Sequence, residues 1–401
     1  MHILFIHSNF PAQFGPCLKK LTQMPDVKCV FVNRRVSGVQ EGVFCLPFHL
    51  QGGATSTTHY CSRTFENAVW QSHAVYEACR TIPEFQPDLI VGHSGFGSTA
   101  LLPELYEAPI INYFEYYYHP HNSDMDFRPD FPPHELDFAR SRMRNAMILI
   151  DLQTCTAGYS PTLWQKHLFP SEYQQKIHSI HDGIDTDFWS PKTIQRRIGN
   201  ESIPDEVRIV TYVSRGLEAM RGFDLFIKIA KRILQEMDNV LFIVAGSDKT
   251  WYGNDLNHIQ SKTFLEHVIR QEQPDLSHFL FPGMLPSRQL AELFSLSDLH
   301  IYLTVPFVLS WSLLNAMSCG CTILASDTAP VQEFIQHEHN GLLNPFFDVE
   351  GFVQQALPVL KNPSNYRHLG QNARQLIRSQ YDINQTFPQL WCLFQQCTGQ
   401  T

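Results

Sequence analysis

Between Leu299 and Asp327 the chain reads LHIYLTVPFVLSWSLLNAMSCGCTILASD. An apolar run from Leu299 to Thr304 halts at Pro306, helical spacing follows from Leu309 to Ser318, and Cys321 to Ala325 is again short, β-branched and apolar. A strand, a helix and a second buried strand in immediate succession form a βαβ unit, so the two strands must lie parallel in one sheet. Ser310 and Ser312 fall where an N-cap or first turn belongs. Unpaired amides and the positive end of the helix then point beyond the sheet, where an anion fits. Gly320 reads as the C-cap. The same unit also serves folds that bind nothing there.

The alternation runs along most of the chain. In the first half, His2 to His7, Val27 to Asn33, Asp88 to Gly92 and Pro109 to Tyr113 are strand-like, and Phe65 to Thr81 and Glu135 to Leu152 have helical period. Residues Val36 to Thr58, rich in Gly, Ser and Thr, read as a long loop or irregular excursion. Cys155 to Tyr159 is a shorter strand, and Lys176 to His181 leads into the turn-rich HDGIDTDFWSP. After an unpatterned boundary near residues 183 to 205 the rhythm restarts with strands at Arg208 to Ser214, Val240 to Gly246 and Phe279 to Gly283. Helices at Phe223 to Met237, Lys262 to Glu272 and Ser287 to Ser297 alternate with them. Helical patterns at Phe352 to Leu360, Ser364 to Tyr381 and Gln385 to Cys397 close the chain. At 401 residues the expectation is two α/β domains, each a doubly wound parallel sheet, with domain limits of 1–190 and 191–380 and a final helix at 381–401.

With 43% hydrophobic and 17% charged residues the chain is globular, and a net charge of −9 argues against nucleic acid as its main partner. Nowhere do about 18 apolar residues run unbroken, and the first residues lack a basic leader pattern, so the expected location is the cytoplasm. The ten cysteines form no CxxC pair and no zinc-type cluster, which suits reduced, buried thiols. Arg140, Arg142 and Arg144 fall on the Glu135 to Leu152 helix. That helix either faces solvent with its charges or makes a peripheral membrane contact.

Several constellations bear chemistry. In YVSRGLEAMRGFDLF, Arg215 follows a strand and Arg221 precedes a helix, so both should project beyond the carboxyl ends of the strands and cradle a diphosphate. The loop HSNFPAQFGPC carries Gly15, which lets backbone approach a phosphate or sugar or is a plain turn glycine. It is not GxGxxG, which counts against a dinucleotide-dependent dehydrogenase. His93 and Glu115 close two strands of one sheet, and a carboxylate between Phe114 and Tyr116 needs a partner cation, a ligand hydroxyl or a catalytic task. His119 and His121 have a metal-compatible spacing without a third ligand, and no metal is expected.

Together these segments resemble the retaining, family-4 type (group 1) glycosyltransferases of the GT-B fold. The segments that carry the resemblance are HDGIDTDFWSP, SRGLEAMRG, FPGMLPSRQLAELFSLSD and the Leu299 to Asp327 stretch. The resemblance implies two Rossmann-like domains facing across a cleft, with C-terminal helices crossing back to the first domain. It implies a nucleoside-diphosphate sugar as donor, an unknown carbohydrate, lipid or small-molecule acceptor, and no cofactor. By the same resemblance Arg215 and Arg221 would neutralise the diphosphate, Gly15 would approach it, and Asp182 and Gly183 would fall at the interdomain turn. Phe307, Val308, Leu309, Ser310 and Asn315 would line the donor, and Glu115 or His93 would supply the first domain's catalytic polar group. The family carries glutamates where this chain has Phe307 and Asn315, so donor orientation would pass to backbone amides around Val308 to Ser310. Two further readings follow from that departure and from the fold: a weak or inactive binding or scaffold protein, and an isomerase of the free sugar nucleotide.

Overall fold

The computed structural model describes residues 1–198 and 201–399. The chain divides into two compact units, Met1–Ser123 with Pro133–Gly183 and Ile383–Thr401, and Asp124–Pro132 with Ile184–Asp382. The limits of 1–190, 191–380 and 381–401 therefore shift: residues 184–190 belong to the second unit, and so does an excursion out of the first half of the sequence, 124–132.

The first unit is built on an eight-stranded sheet: β1 (His2–Ile6), β2 (Lys28–Asn33), β3 (Gly38–Gln40), β4 (Val43–Pro47), β5 (Leu89–His93), β6 (Ile110–Tyr113), β7 (Ala157–Ser160) and β8 (Ile177–Ser179), in the order β3-β4-β2-β1-β5-β6-β7-β8. All pairings are parallel except β3 with β4. The β3 and β4 pair turns part of Val36 to Thr58, read as a long loop or irregular excursion, into a regular strand pair. Val43 and Cys45 alternate into the core and Gly42 makes the turn at φ +83°. Period two sorts the central strands: Ile3 and Phe5 pack on one face with helix Gly15–Leu21 and the C-terminal helix Ile383–Thr398. Leu4 and Ile6 pack on the other with helices Arg63–Arg80 and Glu135–Thr154. Both faces are thus buried, as a parallel sheet requires.

An antiparallel pair of two-residue strands, β9 (Arg197–Ile198) and β10 (Glu201–Ser202), lies near the start of the second unit's main segment. Its six parallel strands are β11 (Arg208–Gly216), β12 (Val240–Ser247), β13 (Phe279–Gly283), β14 (Leu299–Tyr302), β15 (Ile323–Ser326) and β16 (Leu342–Asn344), in the order β13-β12-β11-β14-β15-β16. The short β16 was absent from the sequence reading. Helix Trp311–Ser318 makes the crossover from β14 to β15, as the spacing predicts. On the opposite face Tyr212 and Phe242 lie against Phe226 of helix Phe223–Glu236.

In each unit the strand order reverses beside the first strand, between β5 and β1 and between β14 and β11. Loops leaving those strands part in opposite directions there, opening a crevice at the carboxyl ends. Among the described residues no helix is long and apolar enough to cross a membrane.

Candidate active site

In the second unit that crevice brings together Arg215, Arg221 and the loop after β14. Arg215 ends β11 exposed, its guanidinium carbon 3.9 Å from the centre of the Trp251 ring and its Nη1 donating to the Tyr252 hydroxyl at 3.2 Å. Arg221 is only 5% exposed. Its Nη1 donates to Thr304 Oγ1 at 2.7 Å and its Nη2 to the Val308 carbonyl at 3.0 Å. The rings of Tyr252 and Phe307 flank it at 5.4 and 5.7 Å. Among the described residues it has no carboxylate partner. This buried guanidinium is thus held by neutral acceptors and aromatic faces rather than by a carboxylate.

The turn that carries Arg221 is tightly specified. Residues Ala219–Arg221 form one 3-10 turn closed by Gly222 at φ +63°, where an added Cβ would sit 2.7 Å from Leu303 Cβ. The Arg221 carbonyl accepts from the Tyr212 hydroxyl at 2.7 Å, and the Ala219 amide donates to Asp255 Oδ2 at 2.8 Å. Burial pushes the Asp255 carboxyl up to about 6. Glu218, fully buried, accepts through one oxygen from the amides of Trp251, Tyr252 and Gly253 at 3.0, 2.9 and 3.2 Å. That carboxylate pins the aromatic loop on which Arg215 stacks.

The loop after β14 departs from expectation in one respect. The Ser310 amide, expected to face a donor, donates to the Tyr302 hydroxyl at 3.0 Å. The Val308 and Leu309 amides donate to no acceptor among the described residues, while the Leu309 side chain packs half-buried against the core. Ser310 is the N-cap of helix Trp311–Ser318, its hydroxyl oxygen accepting from the Ser312 amide at 3.3 Å. Asn315 is buried on that helix with no side-chain partner among the described residues. Phe307 is buried against Tyr252, their rings 5.5 Å apart.

In the first unit the crevice gathers the ends of β1, β5 and β6. His93 is buried, and its Nδ1 lies 2.9 Å from the Ser94 carbonyl. A carbonyl only accepts, so Nδ1 carries a proton, and Nε2 faces Glu115 Oε2 at 3.4 Å. Glu115 is a third exposed and also accepts from Gln13 Nε2 at 3.2 Å. Burial alone would raise its pKa, but the adjoining His93 and Gln13 hold it below the usual carboxylate value. His7, its ring 5.3 Å from that of His93, is pushed down to about 4 by burial and by His93, and is neutral. Buried Asp151 anchors the loop after β5 by accepting from the Ser94 hydroxyl at 3.0 Å and the Gly95 amide at 2.7 Å. Burial pushes its carboxyl up to about 6.

The remaining first-unit candidates have local roles. Gly15 opens helix Gly15–Leu21 with ordinary helical dihedrals, and its missing Cβ spares a 3.2 Å contact with the Pro11 ring. Asp182 Oδ2 accepts from the Tyr113 hydroxyl at 3.3 Å. Gly183, at φ +90°, lies under the C-terminal helix: a Cβ would meet Ile383 Cδ1 and Thr386 Oγ1 at 2.6 Å. His119 and His121 turn to separate neighbours, the Leu168 carbonyl and the Phe138 ring.

Residue-by-residue reading of the sequence missed His7, Gln13, Glu218, Trp251, Tyr252 and Thr304. Each belongs to a loop or turn leaving the carboxyl end of a strand, and that position is the signal that could have found them.

Two family models match the chain: "Glycosyl transferase family 4 group" over residues 25–189 and "Glycosyl transferases group 1" over residues 194–376. N-acetyl-alpha-D-glucosaminyl L-malate synthase of Bacillus anthracis is 25% identical over 205 residues, 51% of this chain and 50% of that protein. The match thus spans about half the length of that curated relative. Among solved structures, sucrose-phosphate synthase from Thermosynechococcus elongatus superposes with a TM-score of 0.77 at 14% identity over 100% of both chains. Anabaena HepE in complex with UDP and glucose gives 0.71 at 13% identity, over 99% of this chain and 100% of that one. The catalytic domain of starch synthase IV from Arabidopsis thaliana, bound to ADP and acarbose, gives 0.68 at 14% identity over 99% of each. Two parallel-sheet units, each matched by a glycosyltransferase model, place this chain in the group 1 glycosyltransferases of the GT-B fold.

Proposed function

We propose that the chain transfers a sugar from a nucleoside-diphosphate sugar to an acceptor hydroxyl with retention of configuration and without a metal ion. The observation that carries this reading is Arg221, a buried guanidinium with no carboxylate partner among the described residues, beside a second arginine and a capped helix start. As the bond from the sugar to the diphosphate breaks, negative charge grows on the leaving phosphate. Arg221 and Arg215 oppose that charge from fixed positions, which is where preorganised electrostatics lowers a barrier most. The acceptor oxygen attacks from the face the diphosphate leaves, and its proton passes to the departing phosphate. Asn315 supplies a neutral hydrogen-bonding group for a ribose hydroxyl, and the free Val308 and Leu309 amides serve the donor. Glu115, with His93 behind it, binds hydroxyls in the first unit. HepE with UDP-glucose and starch synthase IV with ADP and acarbose motivate a carbohydrate acceptor and a uridine or adenosine donor. Ten unpaired thiols, eight of them buried, suit a reducing cytoplasm.

A thermal-shift panel of uridine, guanosine and adenosine diphosphates and their sugars tests the donor class. Arg215→Ala and Arg221→Ala should each lower turnover on the order of a hundredfold, with no effect of EDTA on the parent enzyme. Unchanged transfer in both variants would sink the mechanism. A second reading, binding without transfer, is favoured by Phe307 and Asn315 where the family has glutamates. Stabilisation by a sugar nucleotide with no turnover on any acceptor would select it.

A further inference from the structure

Residues 124–132 lie in the first half of the sequence, before helix Glu135–Thr154, yet they group with the second unit. Arg128 explains why. Its side chain is 4% exposed, and its Nη1 donates both to Asp224 Oδ1 and to the Ala219 carbonyl, each at 2.8 Å. Nη2 donates to Asp224 Oδ2 at 2.8 Å, and Nε to Asp130 Oδ1 at 3.0 Å. The rings of Phe131 and Phe346 lie 4.9 and 5.6 Å from its guanidinium carbon. Two carboxylates hold its pKa above the ordinary arginine value despite burial, so the charge is permanent.

Ala219 opens the turn that ends in Arg221. Its carbonyl also accepts the Gly222 amide at 2.9 Å, the bond that closes the turn, and a carbonyl has room for both donors. The turn's other backbone groups are held from within residues 184–382: the Ala219 amide by Asp255, the Met220 carbonyl by the Val305 amide at 3.0 Å, the Arg221 carbonyl by Tyr212. Arg128 is the contribution from the first half of the sequence, through the 124–132 excursion of the same unit. We propose that Arg128 is a positioning residue for the diphosphate site: by holding the Ala219 carbonyl against Asp224 it sets the aim of Arg221. Affinity for a nucleoside diphosphate then depends on a residue encoded in the first half of the chain. Removing the guanidinium would leave Asp224 and Asp130 without their cation directly beneath the turn, with Asp255 close by, and like charges would push the turn apart. This inference rests on the diphosphate-binding reading of Arg221.

The test is titration of the full chain and its Arg128→Ala and Arg128→Lys variants with UDP, GDP and ADP by calorimetry, and with the matching nucleosides by saturation-transfer NMR. Arg221→Ala is the reference. The expected result is that Arg128→Ala weakens diphosphate binding roughly tenfold or more while nucleoside binding holds. Arg128→Lys, which keeps the charge but not the fork, should fall between the two and remains informative where the alanine variant does not fold. A merely structural anchor would weaken diphosphate and nucleoside alike. That outcome, or unchanged diphosphate affinity in Arg128→Lys and Arg128→Ala while Arg221→Ala loses it, overturns the role of Arg128 and leaves the diphosphate site standing. No diphosphate binding by the parent chain overturns both.

Discussion

Phe307 and Arg221 show how one residue changes the electrostatics of this site. A glutamate at 307 would stand where an aromatic ring now lies 5.7 Å from the Arg221 guanidinium. At about 5 Å and an effective dielectric near 20, such a pair attracts by about 3 kcal/mol, in direct competition with a phosphate. Phe307→Glu should therefore weaken binding of a nucleoside diphosphate by roughly tenfold or more, measured by calorimetry. Phe307→Leu should change it by no more than about threefold, because it adds no charge. Tighter binding in the glutamate variant would mean that Arg221 is not the phosphate ligand. Arg215 was legible in the sequence as a cation after a strand, but its stacking on Trp251 joins residues 36 apart in a loop without pattern.

At the level of elements, the turns carry the most specific demands. The glycine of HDGIDTDFWSP is singled out by the resemblance as a site residue, and the structure gives it a packing reason. At φ +90° and with Ile383 and Thr386 in the space of its missing Cβ, it lets the C-terminal helix lie close to the turn. Gly183→Ala should cost about 2 kcal/mol or more, through backbone strain and displacement of that helix. The expected readouts are a lower melting temperature and faster proteolysis near residue 383; an unchanged melting temperature would refute the packing account. The C-terminal helix itself was visible from its period. Its anchoring by Leu390, Leu393 and Phe394 in the first unit's core was not, because period reveals an apolar face and never its partner.

Across the whole molecule, buried titrating groups give the two units different responses to acid. In the first unit His7 and His181 are pushed down to about 4 and Asp151 up to about 6, chiefly by burial. In the second unit His300 is pushed down to about 3 and Asp255 up to about 6. Between pH 6 and pH 5 each such histidine takes a proton only on unfolding, so stability falls as pH falls. Each such aspartate holds a proton only when folded, so stability rises as pH falls. His178 and His267, one in each unit, are also lowered by burial and move both units in the same direction. The first unit therefore carries about one uncompensated proton more than the second, a slope steeper by about 1.4 kcal/mol per pH unit. Hydrogen exchange of the two units at pH 6 and pH 5 should show the first losing more protection. His181→Asn should narrow the difference, and equal loss in both would contradict this assignment.

The sequence by itself determined the class of fold and the place of Arg215 and Arg221 at the end of a strand. Period two and period 3.6 are local properties, and the carboxyl end of a strand follows from where its apolar run stops. Leu299 to Asp327 and the Arg215 to Arg221 turn were legible for that reason. Only the tertiary structure decided that Arg221 has no carboxylate partner among the described residues, that Ser310's amide is already taken by Tyr302, and that Arg128 grips the turn beside Arg221. Two of these depend on contacts between residues 83 and 91 positions apart, one across strand order and one through the 124–132 excursion, and the third on the path of the loop between residues 302 and 310. Nothing in a local pattern specifies strand order, because any parallel arrangement of such units would bury the same apolar faces.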